Sequence, residues 1–227
     1  MSNIDNLISE LELKFKKYAN EKDALAMSKY MKNKFEFFGL KTDLRKSLLK
    51  EFLSEHELPD GDEFKEFILK LWSKPQREFH YSAMEIMEKP LKKADDSWMP
   101  ILEKIISENS WWDSVDAVAA KLIGLYLKKY PKFAEVYPEK WINSDKMWFR
   151  RTAILYQLKY KKDTDFERLR EYILKTAHEK EFFIRKAQGW TLREYAKTNP
   201  EAVREFVLEN KSKLSNLTVK EAMKHLS

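Results

Sequence analysis

Apolar residues recur at three- and four-residue spacing in TDLRKSLLKEFL, DEFKEFILKLW, REFHYSAMEIME, FRRTAILYQLKYK and AVREFVLEN, and no comparable stretch alternates with a period of two. The pattern predicts an all-α chain of roughly a dozen short helices. Pro59, Pro75, Pro100, Pro131 and Pro200 fall at the edges of these segments, where a missing N–H and a fixed φ are tolerated. Thr42-Asp43 and Asn199-Pro200 read as helix starts. KYMKNKFEFFGLKT, residues 29–42, reads as a helix followed by a turn at Gly39.

A longer period lies above the helical one. Ala83, Ala117, Ala153 and Ala187 stand 34, 36 and 34 residues apart, and Leu122, Leu158 and Leu192 each follow their alanine by five. Glu88 breaks the pattern in the first unit. Such a period in a helical chain predicts a solenoid of stacked HEAT-like helix pairs with a concave basic groove. Trp112, Trp148 and Phe182 precede their alanines by five, and Ser82, Asp116, Thr152 and Lys186 precede theirs by one. Superposed repeats would bring these positions to one common surface of aromatics and charge.

The 227 residues suit a single helical-repeat domain, with residues 1–60 as a cap and 61–227 as the array. Hydrophobic residues make up 43% and charged residues 35%, which excludes a disordered chain. No apolar run approaches the roughly 18 residues of a membrane span, so no membrane association is expected. The start, MSNIDNLISELELKF, has no secretory pattern, and there is no cysteine, so a cytoplasmic monomer is expected. The 43 lysines and arginines against 37 acids give a net charge of +6, compatible with a polyanionic partner.

Candidate chemistry concentrates in SWWDSVD, residues 110–116. Trp112 and Asp116 are four apart and share a helical face; Trp111 is expected in the core, and Asp113 to serve the helix itself. Two further segments interleave bases with rings. MWFRRTAILYQLKYKK contains Trp148, Arg150, Arg151, Tyr156, Lys159 and Tyr160; EFFIRKAQGWTLREYAK contains Phe182, Phe183, Arg185, Lys186, Trp190 and Arg193. Gly189 inside the second costs about 1 kcal/mol relative to alanine unless another helix or a ligand approaches there. The four histidines lack ligand spacing, so no metal is expected, and no nucleotide-cofactor or nucleophile-elbow motif is present. One carboxylate among tryptophans and arginines suits N-glycosidic hydrolysis at a cationic base, which leaves without a general acid while charge develops on the sugar. The alternative is a helical-repeat protein that binds nucleic acid without chemistry.

SWWDSVD, RRTAILYQLKYK and GWTLREYAKTNP, in this order and spacing, resemble the AlkD family of DNA alkylation repair glycosylases, built from HEAT-like repeats. The resemblance runs from KYMKN to REYAKTNP. It implies Asp116 as the catalytic carboxylate, with Trp112 and Trp190 framing the lesion. It also implies Arg151 at the DNA backbone and Tyr30 at the site. The substrate so implied is double-stranded DNA carrying positively charged N3- or N7-alkylated purines, with no cofactor and no lyase step. Lys159, Phe182, Phe183 and Arg193 complete the expected DNA-binding set. Lys41, in FFGLKT, departs from the family, which carries glutamine after its FxGI step; a lysine there strengthens phosphate contact and loses the amide's hydrogen bonds.

Overall fold

The computed structural model describes residues 3–226, which form helices and connections with no strand among them beyond an isolated bridge between Glu36 and Gln76. The all-α expectation holds. No helix among the described residues is long and apolar enough to cross a membrane. The chain divides between Ile101 and Leu102 into two compact units.

The first unit contains α1 (Asn3–Lys17), α2 (Glu21–Tyr30), α3 (Thr42–Glu55), α4 (Gly61–Trp72) and α5 (Arg77–Leu91), then a 3₁₀ turn at Asp96–Trp98 and the start of α6 (Met99–Ser107). Helix α1 packs on α3 and α4, and α5 packs on α3 and α4. Their apolar stripes bury Leu11, Phe15, Phe52, Phe67, Ile68, Leu71 and Phe79. The helix anticipated in KYMKNKFEFFGLKT reaches only Tyr30; Lys32 and Asn33 then adopt left-handed φ of 59° and 55°.

The connection from α2 to α3 is held by the first turn of α5. Buried Glu78 accepts backbone N–H bonds from Phe38 at 3.1 Å, Gly39 at 2.9 Å and Leu40 at 3.1 Å. Burial pushes its carboxyl above the usual range, and these three donors work against that rise. Phe38 packs edge-on to Phe15 and Phe79, and its carbonyl receives the N–H of Asn20, the N-cap of α2. Gly39 has φ +85°, and a Cβ there would lie 2.1 Å from the Asn20 carbonyl oxygen.

The second unit continues α6 and adds one long helical run, Trp112–Ala117 (α7), a π turn at Val118–Ile123 and Gly124–Lys129 (α8). It then contains α9 (Pro131–Ile142), α10 (Met147–Leu155), α11 (Phe166–Lys175), α12 (Phe182–Tyr195), α13 (Pro200–Glu209) and α14 (Asn216–Ala222). Helix α10 packs against α7, the π turn and α12, and α12 packs against α14; α9, α11 and α13 flank this series. Ala153 and Ala187 are fully buried between neighbours, as is Ala222, which extends the alanine series by another 35 residues. Ala117 is only half-buried.

Cross-links between repeats recur at one period. Tyr160 donates to the Gly124 carbonyl 36 residues away, Lys128 pairs with Asp163 at a separation of 35, and Lys175 pairs with Glu139 at 36. Gly124 and Gly189 mark close helix crossings. A Cβ at Gly124 would lie 2.5 Å from the Tyr156 carbonyl, and one at Gly189 would lie 2.5 Å from Glu221 Cβ and 2.8 Å from the Thr218 carbonyl. Helix packing therefore accounts for the glycine in α12.

Gly39→Ala should destabilise the protein by roughly 3 kcal/mol or more, because a left-handed backbone and a backbone clash coincide. Gly61→Ala should cost about 1 kcal/mol, since its φ is also positive at 51° but nothing stands within 4 Å of its Cβ position. Urea unfolding of the two variants measures both; equal losses would remove the clash as the cause.

Candidate active site

The polar centre of the second unit joins α7 to α10. Arg151 Nε donates to Asp116 Oδ1 at 2.7 Å and Nη2 to Oδ2 at 2.8 Å, a bidentate fork across 35 residues of sequence. Nη1 donates to the Phe183 carbonyl in the first turn of α12. Three successive repeats are thus tied by one guanidinium. The Arg151 side chain is 3% exposed and that of Asp116 16%, so solvent reaches the carboxylate and not the arginine. The guanidinium expected at a phosphate faces inward, because its donors are taken by groups of its own unit.

Burial pushes the Asp116 carboxyl above the ordinary aspartate range, and the nearby charge of Asp113 adds to this; the hydrogen bonds and charge of Arg151 pull the other way. A fork of this geometry needs the carboxylate form on the acceptor.

An aromatic wall adjoins the pair. Trp111 lies with its ring centroid 5.7 Å from Trp148 and 5.2 Å from Phe183, Trp148 lies 5.2 Å from Phe183, and Phe182 packs edge-on to Phe183. The Arg151 guanidinium carbon stands 5.8 Å from the Phe183 ring centre. Trp111 departs from the core position expected of it. It precedes the helix in extended backbone, φ −153° and ψ 164°, so the 100° rotation per residue that set it apart from Trp112 does not apply. Trp148 occupies the repeat position of Trp112, five residues before its alanine, and that spacing is the sequence signal for its place in the wall.

Trp112 and Trp190 are half-buried, in α7 and α12. Phe182 is 57% exposed, and Lys159 is exposed in the turn after α10. Arg193 is directed to Glu221 of α14. Tyr30 and Lys41 belong to the first unit. Tyr30 is exposed at the end of α2, and Lys41 is exposed at the start of α3, with its Nζ 3.4 Å from Asp23. The described residues contain no group of three or more acidic or histidine side chains arranged to hold a metal.

Replacing Arg151 by methionine strands Asp116 in a desolvated position and should cost about 3 to 5 kcal/mol at neutral pH. A carboxyl whose folded pKa lies above its unfolded value favours the folded state at low pH and loses that contribution as pH rises through the folded value. Without the arginine the folded value climbs further, so the deficit of Arg151→Met should shrink on acidification from pH 7 toward 5. Denaturant unfolding at several pH values tests this, and a deficit independent of pH would contradict it.

The chain has clear relatives. The profile of a family described as DNA alkylation repair enzyme matches residues 11–226. A solved structure described as a predicted DNA alkylation repair enzyme from Enterococcus faecalis is similar at 31% identity and a TM-score of 0.85, covering 92% of this chain and 97% of its own. No curated protein matches. With the helical repeats and the Asp116–Arg151 centre in place, these likenesses show that the chain belongs to the DNA alkylation repair enzyme family.

Proposed function

We propose that this family member is a monofunctional DNA glycosylase that releases positively charged N3- and N7-alkylated purines from double-stranded DNA, as base excision repair requires. The observation that carries the reading is the Asp116 carboxylate, held by Arg151, open on one side to solvent and adjoining a wall of indole and phenyl rings.

An N3- or N7-alkylated purine carries a positive charge that the neutral free base does not. When the bond between C1′ and the base nitrogen breaks, the bonding pair leaves with the base and the positive charge passes to the sugar. No proton has to reach the leaving group, so one carboxylate is enough. Asp116 stabilises the oxocarbenium-like sugar by charge in a partly desolvated setting, where a fixed anion acts more strongly than in water. Water then adds to C1′ and loses its proton, completing hydrolysis without an enzyme-linked intermediate.

Arg151 orients both oxygens of Asp116 and opposes its protonation, while the remaining lone pairs stay available toward the sugar. Electron-rich faces of Trp112, Trp190 and the Trp111–Trp148 pair favour a cationic lesion by about 0.5 to 2 kcal/mol per ring. Tyr30, Lys41, Lys159, Phe182, Phe183 and Arg193 are assigned to the duplex. Lys41 adds a phosphate-seeking charge where the family glutamine offers an amide.

Duplex DNA treated with a methylating agent should release N3-methyladenine or N7-methylguanine on incubation with the protein, identified by chromatography against standards. Asp116→Asn should abolish release by at least about 100-fold, the scale expected for removing one electrostatic stabiliser of a transition state, while DNA affinity changes little. Equal release by the wild type and the asparagine variant would sink the role of Asp116; retained DNA binding with no release by either would favour a binding protein without chemistry.

A further inference from the structure

Helix α12 presents Lys186, Trp190 and Arg193 at spacings of four and three, on one face. Across both cations lies one carboxylate. Glu221 of α14 accepts from Lys186 Nζ on Oε1 at 2.6 Å and from Arg193 Nη1 on Oε2. Its side chain is 13% exposed, against 38% for Lys186 and 21% for Arg193. Lys186 first, and Arg193 with it, hold the Glu221 carboxyl below the usual range. The fit is built into the backbone: Gly189 has no Cβ, and this lets the Cβ of Glu221 come within van der Waals range of α12.

Lys186 and Glu221 stand immediately before Ala187 and Ala222, the position that Asp116 holds before Ala117. Two carboxylates on this repeat position are therefore each paired with a cation about one period away, Asp116 with Arg151 and Glu221 with Lys186, in surroundings that differ. Arg151 is inaccessible, so its carboxylate is the open partner. Around Glu221 the order is reversed, and the two cations are the more exposed partners.

We infer that Glu221 occupies the place of a DNA backbone phosphate on Lys186 and Arg193, and that DNA engages this face by displacing it. A phosphodiester has two non-bridging oxygens that can take over the two donors, and the exposed lysine gives it an approach. Glu221 then acts as an internal competitor that lowers affinity for undamaged duplex and pre-arranges the two cations for exchange. This assignment rests on the reading of the protein as a DNA-binding repair enzyme.

The test uses the full chain and a fluorescent undamaged duplex, with affinity measured at salt concentrations from about 50 to 200 mM. Glu221→Gln should bind about tenfold more tightly at the lowest salt, and the slope of log affinity against log salt should steepen by about 1, because no displaced carboxylate takes up a cation from solution. Adding Glu221→Gln to a Lys186→Gln/Arg193→Gln background should give no gain, and thermal unfolding checks that each variant is folded. Unchanged affinity and slope in folded Glu221→Gln would overturn the inference. Weaker binding would also overturn it, since it would mean that Glu221 only supports the two cations. A wild-type protein with no salt-dependent affinity for DNA would instead refute the underlying repair reading.

Discussion

The fork from Arg151 to Asp116 is the interaction on which the second unit depends. It sits where α7, α10 and the start of α12 meet, and each of the three guanidinium nitrogens has a partner. A buried arginine is tolerable only if its donors are satisfied, and a partly buried aspartate stays ionised only beside a cation. Each group thus makes the other's placement possible. The consequence is an anion that is neither freely solvated nor fully enclosed, a state suited to stabilising positive charge that develops nearby.

The repeat supplies the geometry for this and for much else. Cross-links at 34 to 36 residues tie successive helix pairs through Arg151, Arg168, Lys175, Lys186 and Tyr160. The longest interval in the alanine series, from Ala117 to Ala153, is the one that contains the π turn at Val118–Ile123. A π turn takes up one extra residue within a helical run, in keeping with the longer interval. Glycines at 124 and 189 let neighbouring backbones approach, and at 189 the same close approach brings Glu221 over the basic face of α12.

Charge in this protein is organised more than its net +6 suggests. Arg150 is engaged with Glu179, Arg151 with Asp116, and Lys186 and Arg193 with Glu221. Residues that read as a free basic surface in the sequence are largely paired in the fold. Pairing at this depth restrains side chains that would otherwise sample many rotamers.

Helix type and the alanine period were legible in the chain, because both arise from local periodicity and from the need for small residues where helices cross. SWWDSVD carried the carboxylate and its tryptophans, and the family resemblance singled out Asp116, Trp112 and Trp190. Other features were decided only by tertiary contact. Trp111 joins Trp148 and Phe183 because it lies just outside its helix, which no periodicity argument registers. Arg151 turns inward because the repeat brings Asp116 and the Phe183 carbonyl within reach of a fork that sequence alone presents as a surface charge. Glu78 shows no local pattern, and Glu221 shares the repeat position of Asp116 without any local sign of its partners; each matters through donors 28 to 40 residues away. Local spacing determines which residues share a helix face, whereas the partner across that face depends on how one repeat is laid against the next.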